Sequence, residues 1–339
     1  MTERAHAERL DAADPLRGLR AAFEIPEPEP IYLDGNSLGR LPKATLERLS
    51  ALVRDDWGGR VVRGWDAWME LPVRVGDALA AGFLGARPGE VIVSDSTTVN
   101  LYRLAVAALQ ARPGRRVVLA AADEFPTDRC AVPIDLHRSG VELAVGCTYK
   151  YLNGGPGAPA FLYVRRELQD VLRQPIQGWF GQRDQFAMGH PYDPQPGIAH
   201  FLTGTPSVLG LVAIEAGVEV LARAGIEALR AKSTALTELV IALWRAWLEP
   251  LGFTLGSPAD PARRGGHVAL RHPDAYRIDR ALVERANVVP DFRAPDRIRL
   301  APVAAYTRFT EVWDAMDRLR RLVEAGERVA LDPARSRVT

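Results

Sequence analysis

Apolar positions along the chain follow two periods. Short, continuous or β-branched apolar runs at Val91-Ile-Val, Val117 to Ala120, Val141 to Val145 and Ala160-Phe-Leu-Tyr-Val predict buried strands. Ile31-Tyr-Leu-Asp predicts a shorter strand, followed by a turn at Gly35-Asn-Ser. Helical spacing runs from Leu41 to Trp57, from Asp66 to Leu84 and from Thr97 to Gln110, with Pro72 a break or a first-turn residue. Thr205-Pro206 has the residue types of an N-cap and first helical position, so a helix is expected to open there. An alanine- and leucine-rich helix is predicted from Ile226 to about Leu248. Strand His267 to Arg271, helix Ile278 to Ala286, strand Arg297 to Ala301 and helix Phe309 to Ala325 follow. This alternation predicts an α/β chain ending in a small α+β domain. Residues 1 to 30 are polar and close in Pro-Glu-Pro-Glu-Pro, an extended lead-in, and the Arg-rich tail after Pro333 is expected to fray.

Composition narrows the function classes. A chain of 339 residues has room for two subdomains, since one takes about 100–200 residues. Its formal net charge of +1 argues against a nucleic-acid stripe or a membrane-binding face. The start, Met1-Thr-Glu-Arg-Ala-His, is charged and lacks the apolar core of a signal peptide, and no apolar run is long enough for a bilayer. Cys130 and Cys147 make neither a disulfide framework nor a metal motif, and the six histidines are scattered. The expectation is a cytoplasmic, metal-free enzyme or binding protein.

Candidate chemistry centres on Cys147 to Gly157, Cys-Thr-Tyr-Lys-Tyr-Leu-Asn-Gly-Gly-Pro-Gly. The preceding strand delivers Lys150 into a Gly-rich turn between Tyr149 and Tyr151. There partial desolvation is expected to favour the free amine, a nucleophile able to condense with an aldehyde such as that of pyridoxal phosphate. A plain hairpin is the competing reading, because Asn153-Gly154 between apolar runs is a hairpin signal. Ser94-Asp-Ser-Thr-Thr opens a predicted helix. Its hydroxyls, free N–H groups and dipole suit a phosphate, although an ordinary cap would look the same. Gly178-Trp-Phe-Gly and the polar run to Gly197 read as a long loop of the kind that carries sites. Arg299 ends a strand too apolar to hold a charge without a partner, and a protein carboxylate is the usual one. Trp57 and Trp68 are expected to pack in a core or interface.

These motifs have a family likeness. The lysine stretch resembles the cofactor-lysine motif of kynureninase, a pyridoxal-phosphate hydrolase of the aminotransferase-like group. Tyr32-Leu-Asp-Gly-Asn-Ser-Leu-Gly39, Asp95 to Asn100, Phe125-Pro-Thr-Asp128, Gly178-Trp-Phe-Gly181 and Arg299-Leu-Ala-Pro302 resemble that family in its order, over nearly the whole chain. The resemblance implies pyridoxal-phosphate fold type I, with a large domain built on a mainly parallel central sheet and a small α+β domain. An N-terminal segment (1–55) would pack with the small domain (216–335), and 56–215 would bind the cofactor. It implies cleavage of L-kynurenine, or its 3-hydroxy form, to an anthranilate and L-alanine in tryptophan degradation and NAD biosynthesis.

The same resemblance assigns roles. Lys150 would carry the cofactor and Tyr149 would be an acid/base beside it. Thr97, Thr98 and Thr205 would anchor its phosphate. Phe125 would stack on its ring, within the cofactor-binding run that also holds Pro126, Thr127 and Asp128, and Asp128 would face the ring nitrogen. Ser37, Trp65 and Arg299 would bind substrate, with Arg299 gripping its carboxylate. Trp179 and Thr205 would serve the neighbouring subunit of a homodimer. One departure stands out. The chain passes from Asp128 to Lys150 within about one strand and one loop, whereas parallel strands need crossovers of about a dozen residues or more. The family carries several dozen further residues here, among them an Asp-x-x-His element for the ring nitrogen. Arg129-Cys130-Ala131 therefore reads as a splice. A truncated, catalytically impaired homologue acting as a binding protein stays open as an alternative, as does another pyridoxal-phosphate lyase.

Overall fold

The computed structural model describes residues 2–26, 28–115, 117, 134–186 and 191–326. They form two compact units, 41–223 and a discontinuous one made of 1–40 and 224–339. In chain order the elements are α1 (Arg4–Ala13), β1 (Ile31–Tyr32), α2 (Lys43–Ala51), α3 (Trp65–Trp68), α4 (Leu71–Leu79), β2 (Val91–Val93), α5 (Thr97–Ala111), β3 (Leu143–Gly146), β4 (Phe161–Val164) and α6 (Arg166–Gln169). They continue with α7 (Val208–Ala222), α8 (Ile226–Leu243), β5 (Thr254–Leu255), β6 (Val268–Arg271), α9 (Ala275–Ala286), β7 (Val288–Val289), β8 (Asp291–Arg293), β9 (Arg297–Leu300) and α10 (Phe309–Glu324).

The unit 41–223 holds a described sheet in the order β2-β4-β3. Both pairs are antiparallel, with Ile92 opposite Leu162 and Val145 opposite Leu162. β2 and β3 therefore run the same way on either side of an opposed β4. The mainly parallel arrangement expected for this unit is not what its described pairs show. The fourth strand expected here, Val117 to Ala120, lies apart from Val117 outside the described residues. Continuous apolar sequence explains β2 and β4, which are buried throughout, and their core includes Leu104, Phe180 and Phe201. β3 is only half-buried, against expectation, although β2, which likewise pairs with β4 alone among the described residues, is buried throughout. α7, apolar nearly all round, approaches the lysine turn closely: a Cβ on Gly217 would lie 2.4 Å from the Leu152 carbonyl oxygen.

Several boundaries differ from expectation. The predicted 41–57 helix ends at Ala51 and continues as a π-helical turn to Arg60, where Gly58 and Gly59 weaken the regular ladder. The 66–84 helix is broken between Trp68 and Leu71, and Pro72 occupies the first turn of α4. Trp57 is 60% exposed, so of the expected core or interface packing only the interface is left for it. α7 begins at Val208 with Ser207 as N-cap. Thr205 thus stays in the loop before the helix instead of capping it.

The unit 1–40 plus 224–339 pairs β1 in parallel with β7, Ile31 opposite Val288, and forms a sheet β5-β6-β9-β8 whose pairs are all antiparallel. α8, α9 and α10 bury apolar stripes against it, with Val240, Ile278, Leu300 and Met316 in one core. Asp11 in α1 accepts hydrogen bonds from the backbone N–H groups of Phe309 (2.7 Å) and Thr310 (3.0 Å). A carboxylate thereby sits at the α10 N-terminus, where the helix dipole favours it. Gly35 is required where it stands, since a Cβ would lie 2.0 Å from Val303 Cγ2.

Candidate active site

In the unit 41–223, β2 ends at Val93 and the chain turns through Ser94, Asp95 and Ser96 into α5. Asp95 takes the left-handed conformation (φ +51°), which a short polar residue tolerates. Ser96 caps the helix, its Oγ accepting from Val99 N at 3.4 Å. Thr97 and Thr98 then line a cavity of about 610 Å³ whose other walls are Tyr149, 157–159 and 203–207. Buried Asn100 ties the turn to β4 by donating to the carbonyls of Ser94 (2.9 Å) and Ala160 (3.3 Å). Thr203 Oγ1 donates to Asp95 Oδ2 at 3.0 Å, which joins the two walls. Four residues singled out in the sequence, Thr97, Thr98, Tyr149 and Thr205, thus line one cavity.

Lys150 follows Tyr149 in the 147–160 connection between β3 and β4. These strands are antiparallel neighbours, so the connection is a hairpin, but a long one that a two-residue Asn-Gly turn does not make. Asn153 does supply the left-handed residue (φ +57°), and Gly154 N donates to the Thr148 carbonyl at 2.9 Å, curling the chain back beneath Lys150. Thr148, fully buried, donates from Oγ1 to the Pro159 carbonyl at 2.6 Å. The lysine is half-buried beside a wall of the cavity.

Aromatic side chains collect in the same unit. Trp65 packs edge-on at 5.4 Å against Trp68 and at a tilt, 5.9 Å away, against Phe180, and Trp179 packs edge-on at 4.4 Å against Phe180. Phe180 N donates to the Thr203 carbonyl at 3.0 Å, so this loop buttresses the cavity wall while Trp179 remains 44% exposed. Phe125, Pro126, Thr127 and Asp128, and the proposed splice with Cys130, lie outside the described residues.

Ser37 and Arg299 belong to the other unit, and there they sit in a charged cluster that sequence reasoning missed. Arg299 forms an ion pair with Asp291, whose side chain is wholly buried; Arg293 reaches the same carboxylate at 3.3 Å. The carboxylate partner that a generic arginine would take is therefore present. The Asn36 amide is satisfied when its oxygen faces Arg299 (2.7 Å) and its nitrogen faces Asp34 Oδ1 (3.3 Å). Ser37 N donates to the Asp34 carbonyl at 3.0 Å. Asp34 and Asp279 complete the group. Burial above all, with Asp291 nearby adding to it, pushes the carboxyl of each up to about 7. The available signal was Asp279 on the apolar stripe of α9, among Ala275, Ile278 and Leu282.

This cluster predicts a pH-dependent stability. A carboxyl with a folded pKa near 7 and an ordinary value of 3.8 holds its proton in the folded state while the unfolded chain releases it. Stability is therefore lost as pH rises from about 4 to 7, by roughly 1.4 kcal/mol for each pH unit within that window. Asp279→Asn, which imitates the protonated acid, should match the parent in melting temperature at pH 4 and exceed it at pH 8. A difference that does not change with pH would contradict this.

Comparisons with known proteins fit the geometry. An aminotransferase class-V family description matches residues 129–272. The apo cysteine desulfurase of Thermococcus onnurineus NA1 superposes with a TM-score of 0.73 at 14% identity, covering 91% of this chain and 98% of that one. A cysteine desulfurase from Escherichia coli gives 0.72 at 16%, with the same coverage. The chain therefore has the α/β fold of the class-V aminotransferase group. A kynureninase C-terminal domain description matches residues 229–319. The kynureninase of Pseudomonas fluorescens is 36% identical over 403 aligned residues, and that of Burkholderia pseudomallei (strain K96243) 34% over 403, each covering 96% of both chains. The chain belongs to the kynureninase family. An alignment of 403 positions exceeds the 339 residues present, so these relatives carry several dozen residues that this chain lacks.

Among the described residues no helix is long and apolar enough to cross a membrane, and no group of His, Cys, Asp or Glu could hold a metal ion.

Proposed function

We propose that the chain hydrolyses L-kynurenine or 3-hydroxykynurenine to the corresponding anthranilate and L-alanine, using pyridoxal phosphate held in the cavity of the unit 41–223. The observation that carries this is the convergence of Thr97, Thr98, Thr205 and Tyr149 on one cavity, with Lys150 next in the chain. The residues fit the cofactor: hydroxyls and the free N–H groups of α5 suit a phosphate, and the adjoining amine suits an aldehyde. When bound, pyridoxal phosphate supplies an electron sink for the bonds around an amino acid's α-carbon. Lys150 Nζ attaches the cofactor and moves the substrate's α-proton. Tyr149 OH donates or accepts a proton beside it. Arg299, steadied by Asp291 and Asn36, grips the α-carboxylate, Ser37 also contacts the substrate, and Trp65 meets the aromatic ring. Holding that orientation decides which bond breaks.

The finer reading is a cytoplasmic homodimer with sites shared between subunits. Exposed Trp179 and Phe186, whose rings lie 6.3 Å apart, support a partner surface, and cysteines without a disulfide framework suit a reducing compartment. The residues absent relative to the relatives favour a second reading, an impaired homologue. Purified protein given pyridoxal phosphate and L-kynurenine decides between them. Equimolar anthranilate and alanine are expected, whereas cofactor binding without either product would favour the impaired homologue.

A further inference from the structure

Arg103 is among the largest fully buried side chains, on the inner face of α5 at a position where Leu104 and Ala107 mark the core stripe. A buried guanidinium needs carboxylate or carbonyl partners on several sides. It has them. It bonds to Ser94 Oγ at 3.0 Å, to the side-chain oxygen of Asn100 and to the Phe201 carbonyl, and it pairs with Asp95 Oδ2 at 3.1 Å. These partners come from the turn before α5, where Ser94 and Asp95 line the cavity, from α5 itself and from the segment that leads to the opposite wall at Thr203. Asp95 is the only carboxylate among the described residues that line it, and no described lysine or arginine lines it. An acid at the rim of a site for a dianion would repel that ligand unless its charge were balanced.

We propose that Arg103 is a positioning residue that neutralises Asp95 from below and so makes the cavity accept a phosphate dianion. Resting on the cofactor reading above, the inference adds a residue that touches no ligand. Hydroxyls and helix N–H groups supply the direct contacts, Asp95 ties the wall at Thr203 to the turn, and Arg103 removes the charge which that tie introduces. A neutral asparagine at 95 would have kept a hydrogen bond to Thr203 without needing Arg103. The pair therefore exchanges local neutrality for a rigid join between the walls.

The test is cofactor affinity, read by absorbance titration with pyridoxal phosphate and, in parallel, with phosphate-free pyridoxal. Arg103→Met should weaken pyridoxal phosphate binding tenfold to a hundredfold and change pyridoxal binding by less than threefold. Adding Asp95→Asn to that variant should restore most of the loss, which a purely structural role of Arg103 would not allow. Should Arg103→Met fail to fold, Asp95→Asn alone keeps the buried cation and should bind pyridoxal phosphate at least as tightly as the parent. Unchanged affinity in folded Arg103→Met, no recovery in the double variant, or weaker binding in Asp95→Asn overturns the proposal. If the parent itself binds the two compounds equally, the cavity is no phosphate site, and the reading beneath the proposal fails first.

Discussion

Lys150→Ala is expected to lower kynurenine turnover by roughly a thousandfold or more, because one amine both attaches the cofactor and handles the α-proton. The phosphate anchors Thr97, Thr98 and Thr205 are untouched by the change, so pyridoxal phosphate should still bind, but without a covalent link. Borohydride should then fix the cofactor to the parent protein and leave the variant's cofactor removable on a desalting column. Turnover at the parental rate would remove Lys150 from the site. The same variant examines subunit sharing. Mixed and exchanged with Thr205→Val, it should regain part of the lost activity if Thr205 serves the neighbouring site, and none if Thr205 serves only the cavity it lines in its own chain. Two inactive parents that exchange subunits and stay inactive would argue for sites contained in single chains.

Arg299→Gln is expected to raise the KM for kynurenine about a hundredfold with a smaller change in kcat. A charge-assisted hydrogen bond is worth about 1.5–3 kcal/mol, and every 1.4 kcal/mol is about tenfold. Removing the arginine also leaves Asp291 buried with one cation fewer, so some loss of stability accompanies it. Measuring KM well below the variant's melting temperature separates the two effects. Arg299→Lys keeps the charge without the forked geometry and should fall between parent and Arg299→Gln. A folded Arg299→Gln protein with the parental KM would mean that Asp291 is the arginine's whole purpose.

Local features were the ones legible in the chain. The β2 run, the Ser96 cap and the strand bearing Arg299 each follow from a few neighbouring residues, and each stands where the pattern put it. The Thr205 cap failed: the helix opens at Val208 with Ser207 in the N-cap position, a residue type no less suited to a helix start, although its side chain makes no capping hydrogen bond. Trp57 shows the other limit, since helical spacing marks an apolar position without saying what will cover it. The cluster of Asp34, Asp279, Asp291 and Arg299 joins residues more than 240 positions apart through sheet pairing, and no window of sequence contains it. Arg103 was hidden differently. It occupied a core position of an amphipathic helix, where a charge without a visible partner invited no role.

The pairing of β1 with β7 has a consequence during synthesis. Ile31 finds its partner in Val288, so the first strand emerges from the ribosome about 250 residues before the strand it pairs with. At bacterial or eukaryotic elongation rates of roughly 5–20 residues per second, that is a delay on the order of ten to fifty seconds. The continuous stretch 41–223 is complete in the meantime and can fold first, while the first forty residues wait as an unpaired leader. A ribosome that stalls before residue 288 therefore releases a chain whose first strand, Ile31–Tyr32, lacks its partner strand, a natural target for chaperones and proteases.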